Sequence, residues 1–387
     1  MTHKISSVRF TSHEPSLKVD ALKDILEREL EGAIIEKADK LVETVFPDRC
    51  LPLGNWESLT RDLAIAQPPA IQRDGEDDVA SWMNGIGDAV QQCTQSHIIR
   101  KWSAQYCNTP LNGSPHTRKP DIILLDAAVA DSISSGYELK WHDVRALSEI
   151  TSQESFHMAI KATVAQKSYI MFLTQCDRRF VTALSFHGDR FRFCACDRAG
   201  VVHTSSFPIA RSAGLVNPTL LRIIIGLMFA TNSTIGYDQM MTRGPDGQIV
   251  KIMVKGKEYK VIQKVFSSES LRGRATQCWH VRRVNEDGNV EEYIIKDSWV
   301  HTGHTANEVE FLEKLRGVVG VPNCVDSEDV TLPDGTVDST ATRCNGCRYD
   351  EVRVNRRLVM QPVGELLTSF TCKKELVRGF RDLARGA

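Results

Sequence analysis

Two short segments carry residue types that could do chemistry together. Residues 293–296 read Tyr-Ile-Ile-Lys, and residues 308–312 read Glu-Val-Glu-Phe-Leu. The apolar residues before Lys296 suit a strand. Glu308 opens a stretch with Val309, Leu312 and Leu315 at helical spacing. A lysine alone is a flexible, strongly hydrated point charge, and a carboxylate partner is needed to hold it in place. A strand lysine fixed by a helix glutamate could therefore set one ammonium against a phosphate. Each residue also has an ordinary use: a lysine after a strand is solvated, and a glutamate at a helix start answers the helix dipole.

A second set lies upstream. Lys119-Pro-Asp121 precedes the apolar run Ile122-Ile-Leu-Leu125, and Glu149-Ile-Thr151 closes a second strand-like stretch from Val144 to Ile150. Two carboxylates on adjacent strands can hold a divalent metal, and a lysine beside the second can position a water. The arrangement resembles the PD-(D/E)xK nuclease pattern, except that Thr151 fills the lysine slot and supplies no charge. Gln166 and Lys167, in a helix expected over 153–168, fit that fold without restoring the motif. The plain reading is a fold relic or binding platform. A metal site and a degenerate metal-dependent nuclease are the alternatives.

Composition sets bounds on both readings. The 387 residues suggest two or three domains. The net charge of −1 gives no whole-chain pull toward nucleic acid or membrane. No apolar run approaches a membrane span, and the start lacks a secretory leader, so an intracellular protein of cytoplasm or nucleus is expected. The 11 cysteines are an odd number, which suits reduced thiols. Cys344-Asn-Gly-Cys347 is a half site for zinc with only Cys324 near, and no metal ligand is assigned.

The elements that must position these residues follow from periodicity. Helices are expected over 19–46, about 77–103 and 215–229, with a loop over 108–120. Phe180–Phe186 and Arg190–Cys196 read as a hairpin, with a further strand over Val201–Phe207. After the turn formers Arg243-Gly-Pro-Asp-Gly247, hairpins are expected from Ile249–Val254 with Tyr259–Phe266 and from Gln277–Val284 with Glu291–Ile295. Lys296 then ends its strand. A helix over Ala306–Arg316 follows, then a polar loop insertion over 326–350.

Strand lysine, helix glutamate and the apolar linker Leu358-Val-Met-Gln361, in that order, resemble the upper lobe of a protein kinase. Arg272-Gly-Arg-Ala-Thr276, Cys278-Trp279, Ile295-Lys-Asp-Ser-Trp299, Gly320-Val-Pro322, Arg356-Arg-Leu358, Glu375-Leu-Val377 and Arg381-Asp382 are similar to the fungal-type protein kinases. Lys119-Pro-Asp121, Asp197-Arg-Ala-Gly200 and Ile235-Gly-Tyr-Asp238 extend the resemblance upstream, to about 80–387. The resemblance implies that Lys296 contacts ATP, that Glu308 holds it, and that Val359 to Val363 form the adenine hinge through Met360 and Gln361. The usual phosphate-covering GxGxxG is replaced by residues 267–276, in which Gly273 is the one glycine. No His-Arg-Asp or Asp-Phe-Gly segment occurs, so no catalytic residue is assigned.

The expected fold class is α+β: a helical segment over 1–110, an α/β domain resembling the nuclease fold over 111–243, and a kinase-like N-lobe, hinge and incomplete C-lobe over 244–387. The expected function is that of a kinase-like protein truncated before its catalytic loop, with weak or absent ATP binding and no phosphoryl transfer. The alternatives are a non-catalytic interaction module and the degenerate nuclease. Protein partners are expected, membrane and nucleic acid are not, and an exposed half-cleft near Val359, Met360 and Leu366 invites self-association.

Overall fold

A computed structural model describes residues 19–52, 65–72, 74–151, 159–211, 215–303, 307–343, 351–364 and 369–386. The chain is α+β, with two sheets. It divides into two compact units: unit 1 is 1–236 with 269–271, and unit 2 is 237–268 with 272–387. None of the described helices is long and apolar enough to cross a membrane.

Unit 1 begins with α1 (Val19–Glu29), β1 (Ile34–Ile35) and α2 (Leu41–Val45). The single helix expected over 19–46 is broken at Gly32, whose positive φ of 68° lets the chain turn back. Next come α3 (Glu76–Thr94), β2 (Arg100–Ser103), β3 (Ile122–Asp126) and α4 (Ala127–Ser132). The helix expected to reach 103 stops at Thr94, and Ile98 and Ile99 lead into β2 instead. A short apolar run there serves a sheet rather than a helix face.

The centre of the sheet is β4 (Ala146–Thr151) and β5 (Phe180–His187), joined by the crossover helix α5 (Ala159–Thr174). Then follow β6 (Arg190–Asp197), β7 (Gly200–His203), β8 (Phe207–Pro208) and the buried α6 (Pro218–Phe229). The strand expected over 201–207 is two short strands. The sheet order is β1-β7-β6-β5-β4-β3-β2. β2, β3 and β4 form an antiparallel meander, and β4 runs parallel to β5 because a helix must carry the chain back. Val164, Ala165, Tyr169, Ile170, Met171 and Phe172 pack α5 into the core with Leu22 and Leu26 of α1 and Leu30 just after it.

Leu271 is fully buried in that same core. Its N–H donates to Glu29 Oε2 at 2.9 Å, and Arg198 Nη1 donates to the carbonyls of Ser270 and Leu271. Residues expected to cover phosphate thus include three that belong to unit 1.

Unit 2 has β9 (Met241–Arg243), β10 (Ile249–Val254), β11 (Lys257–Ser267), β12 (Gln277–Val284) and β13 (Val290–His301). It continues with α7 (Glu308–Lys314), β14 (Asn323–Asp329), β15 (Arg353–Gln361) and α8 (Lys373–Gly386). The order β14-β15-β13-β12-β11-β10-β9 is antiparallel at every pairing. Two expectations change here. β13 extends through His301, so Lys296 lies mid-strand. The polar stretch expected as a loop begins instead with strand β14, whose Asp326 is tied to Lys255 at 2.8 Å and Lys257 at 2.9 Å. Cys344, Cys347 and Leu366 lie outside the described residues.

Candidate functional site

In unit 2, β13 alternates its side chains between two environments. Tyr293, Ile295, Asp297 and Trp299 are buried on one face. On that face Arg357 of β15 is fully buried, and its Nη2 donates to Asp297 Oδ2 and to Asp238 Oδ2, each at 2.6 Å. Burial pushes the Asp297 carboxyl above its ordinary value, and the guanidinium only partly offsets that. Both Asp297 and Asp238 are nearly inaccessible, so this triad ties β13 to β15 and to the chain around residue 238.

The other face carries Lys296. Its Nζ is 2.5 Å from Glu308 Oε1. The glutamate is held by its helix start: Asn307 caps α7 by accepting the Val309 N–H, and Arg356 Nη1 donates to the same Asn307 oxygen at 3.0 Å. Arg356 is itself clamped by Asp329 through two bonds. Strand β15 therefore sets the height of Glu308 as well as the neighbour of Lys296.

Pairing register gives the rest of this face. Cys278 on β12 and Leu358 on β15 stand opposite Lys296, while Met360 stands opposite Ile294 and Phe266 of β11 opposite Cys278. Cys278, Ile294 and Met360 are half-buried and Phe266 is exposed. The result is an ammonium beside a strip of partly exposed apolar side chains. Burial raises the Cys278 thiol above its usual range.

The other expected residues fall differently. Val359 is fully buried on the opposite face, which corrects its expected exposure. Gln361 ends β15 and donates to the Glu292 carbonyl at 3.1 Å. Gly273 lies in the β11–β12 loop with φ 119° and open space where a Cβ would stand. Helix α7 is shorter than expected and Leu315 is exposed, so its apolar face is only half covered.

In unit 1, continuing the β3–β4 register by one residue sets Asp121 opposite Glu149. Lys167 of α5 donates to both Glu149 oxygens at 2.5 Å, and lies 3.9 Å from Asp121 Oδ1. The Ile150 N–H donates to Asp121 Oδ2 at 2.8 Å. Burial pushes Glu149 up to about 7 despite that lysine. The sequence places Lys167 in the helix that fits this fold but does not show that it meets Glu149. The available signal was a lysine inside a helical run that is otherwise buried and largely apolar.

The fungal protein kinase family model matches residues 119–350. That is more than half of the chain. The chain belongs to the fungal protein kinase family. The matched span holds Asp121, Glu149, Lys167, Gly273, Lys296 and Glu308, and ends before Met360 and Gln361. Searches of curated proteins and of solved structures returned no match.

Proposed function

We propose that unit 2 is a kinase-like nucleotide-binding lobe that holds ATP weakly through Lys296. The observation that carries this reading is the Lys296–Glu308 ion pair, formed between a central strand and the helix that follows it. Supporting it is the order β11-β12-β13-β15-β14, which puts the residue 358–361 segment beside the lysine strand. An adenine ring would lie on the strip of Ile294, Met360 and Phe266, with Lys296 on a phosphate oxygen. Affinity is weak because the loop over 267–276 has one glycine and commits residues 269–271 to unit 1.

Phosphoryl transfer needs a group to take the hydroxyl proton and ligands for the metal ions that span the phosphates. The sequence has no His-Arg-Asp or Asp-Phe-Gly segment to fill those roles, and we propose that these residues alone do not transfer phosphate. The test is calorimetry with ATP beside a radiolabelled-phosphate assay on residues 1–387. ATP binding lost in Lys296→Met, with no label incorporated, is the expected result. Label incorporation abolished by Lys296→Met would overturn the inactivity, and binding unchanged in Lys296→Met would overturn the site.

A further inference from the structure

We propose that the free edge of β11 is a pairing surface for a second copy of this chain, which adds the same strand antiparallel to it. β10 pairs with β11 only over Lys257–Lys260. From Val261 to Ser267 the strand is paired with β12 on one side, and among the described residues no strand pairs with its other side. An unpaired edge presents backbone N–H and C=O groups that a strand of another chain can meet. The same stretch carries Ile262, Val265 and Phe266, which are 44%, 38% and 53% exposed. The half-cleft expected beside β15 is a different surface, because β13 and β12 stand between β15 and β11.

Natural edges are blunted by lysines and bulges, and β11 has both. Lys260 and Lys264 lie along it. Ile262 and Val265 have no partner in the β12 ladder, because the register shifts between Val261 and Gln263 and again between Lys264 and Phe266. The order of these residues nonetheless fits one occupant. Two copies can be set antiparallel with the twofold axis between Gln263 and Lys264. Val261 then faces Phe266 of the second copy, Ile262 faces Val265, Gln263 faces Lys264 and Lys260 faces Ser267. Every apolar side chain meets an apolar one, and no lysine meets a lysine. The two bulge positions of one copy meet those of the other, so the kinks coincide.

The neighbouring registers fail. Moving the axis onto Lys264 sets that lysine against its own copy and Gln263 against Val265. Moving it onto Gln263 sets Ile262 against Lys264. A slip by one residue therefore puts like charges or an apolar and a charged side chain opposite each other, which is unfavourable. The strand is thus the complement of its own edge, and the pair closes as an isologous twofold dimer. A ribbon this short is at the small end of protein interfaces, so the dimer is reversible and forms as concentration rises.

The test is sedimentation velocity of residues 1–387 over a concentration series, with circular dichroism to check folding. Expected is a reversible monomer–dimer equilibrium. Gln263→Lys sets symmetric lysine pairs across the interface and should weaken the dimer by roughly 2-fold to 30-fold. Gln263→Glu sets lysine–carboxylate pairs there and should tighten it over a similar range. Ile262→Lys puts a charge against Val265 and should leave monomer. Asn289→Lys, an equal charge change at the exposed β12–β13 turn, should alter nothing. Monomer at every concentration overturns the proposal, and so does a dimer unmoved by Ile262→Lys. Gln263→Lys and Gln263→Glu shifting the equilibrium in the same direction overturns the register, and with it the second copy as occupant. A monomer that instead binds a labelled peptide of alternating glutamate and valine, read by fluorescence anisotropy, assigns the edge to a strand of another protein and likewise overturns the second copy.

Discussion

Cys278 stands directly across from Lys296 in the antiparallel pairing of β12 with β13. The thiol and the ammonium therefore share one face of the sheet. Burial raises the thiol, so Cys278 holds its proton at pH values where an ordinary cysteine begins to lose it. Only the thiolate reacts with alkylating agents. Iodoacetamide should therefore modify Cys278 more slowly than exposed Cys93 and Cys372, and its rate should still climb above pH 9, the usual thiol value. Millimolar ATP should slow it further. Peptide-level mass spectrometry reads all three sites; a rate for Cys278 that levels off below pH 9 would contradict the burial argument.

Lys296 and Glu308 should fail in different ways. Lys296→Met removes the contact to phosphate itself. One charge-assisted hydrogen bond is worth ~1.5–3 kcal/mol, so ATP affinity should fall by ~10-fold to ~100-fold. Glu308→Gln leaves the lysine present but unfixed, and should cost less. Calorimetry on the three proteins measures the order. Equal losses would mean that Glu308 also touches the nucleotide.

The strands were legible where apolar and polar residues alternate between turn formers, as in the hairpins over 249–266 and 277–295. Lys296 and Glu308 were legible because strand, turn and helix are consecutive, so their meeting needs no distant partner. Strand β14 was not, because its sequence, Asn-Cys-Val-Asp-Ser-Glu-Asp, is polar. It is stabilised by Lys255 and Lys257 of the distant β10–β11 hairpin and by pairing with β15, and neither leaves a local pattern. The contact of Lys167 with Glu149 was not legible for a related reason. Its partner lies 18 positions away across a strand-to-helix crossover, and nothing in its neighbours names Glu149.

Leu271 should matter to unit 1 although it lies between two strands of unit 2. It is fully buried among Leu22, Leu26 and Leu30. Leucine-to-alanine changes in cores cost ~2–5 kcal/mol, from lost transfer energy and the cavity left behind. Leu271→Ala should lower the unfolding midpoint of unit 1 in urea. It should also free the residue 267–276 loop, and so raise ATP affinity if capture of that loop is what weakens binding. An unchanged midpoint would mean that the site collapses around the smaller side chain.

Arg357 tests what fixes Lys296 in height. Its guanidinium is fully buried, and two nearly inaccessible carboxylates, Asp238 and Asp297, depend on it. Arg357→Met deletes the cation and leaves both acids without it. Breaking a buried pair in this way costs ~3–5 kcal/mol, most of it the uncompensated charge. The loss should be partly relieved by lowering the pH, because burial already holds Asp297 above its ordinary value and protonation removes the unpaired charge. The sign is therefore the reverse of ordinary acid unfolding: the variant should gain on the wild type as pH falls from 7 toward 5. Arg357→Met combined with Asp238→Asn and Asp297→Asn should recover much of the loss at neutral pH, since no buried charge remains. Urea unfolding at both pH values measures all of this. A single variant as stable as the wild type at pH 7 would show that the triad does not hold β13 against β15.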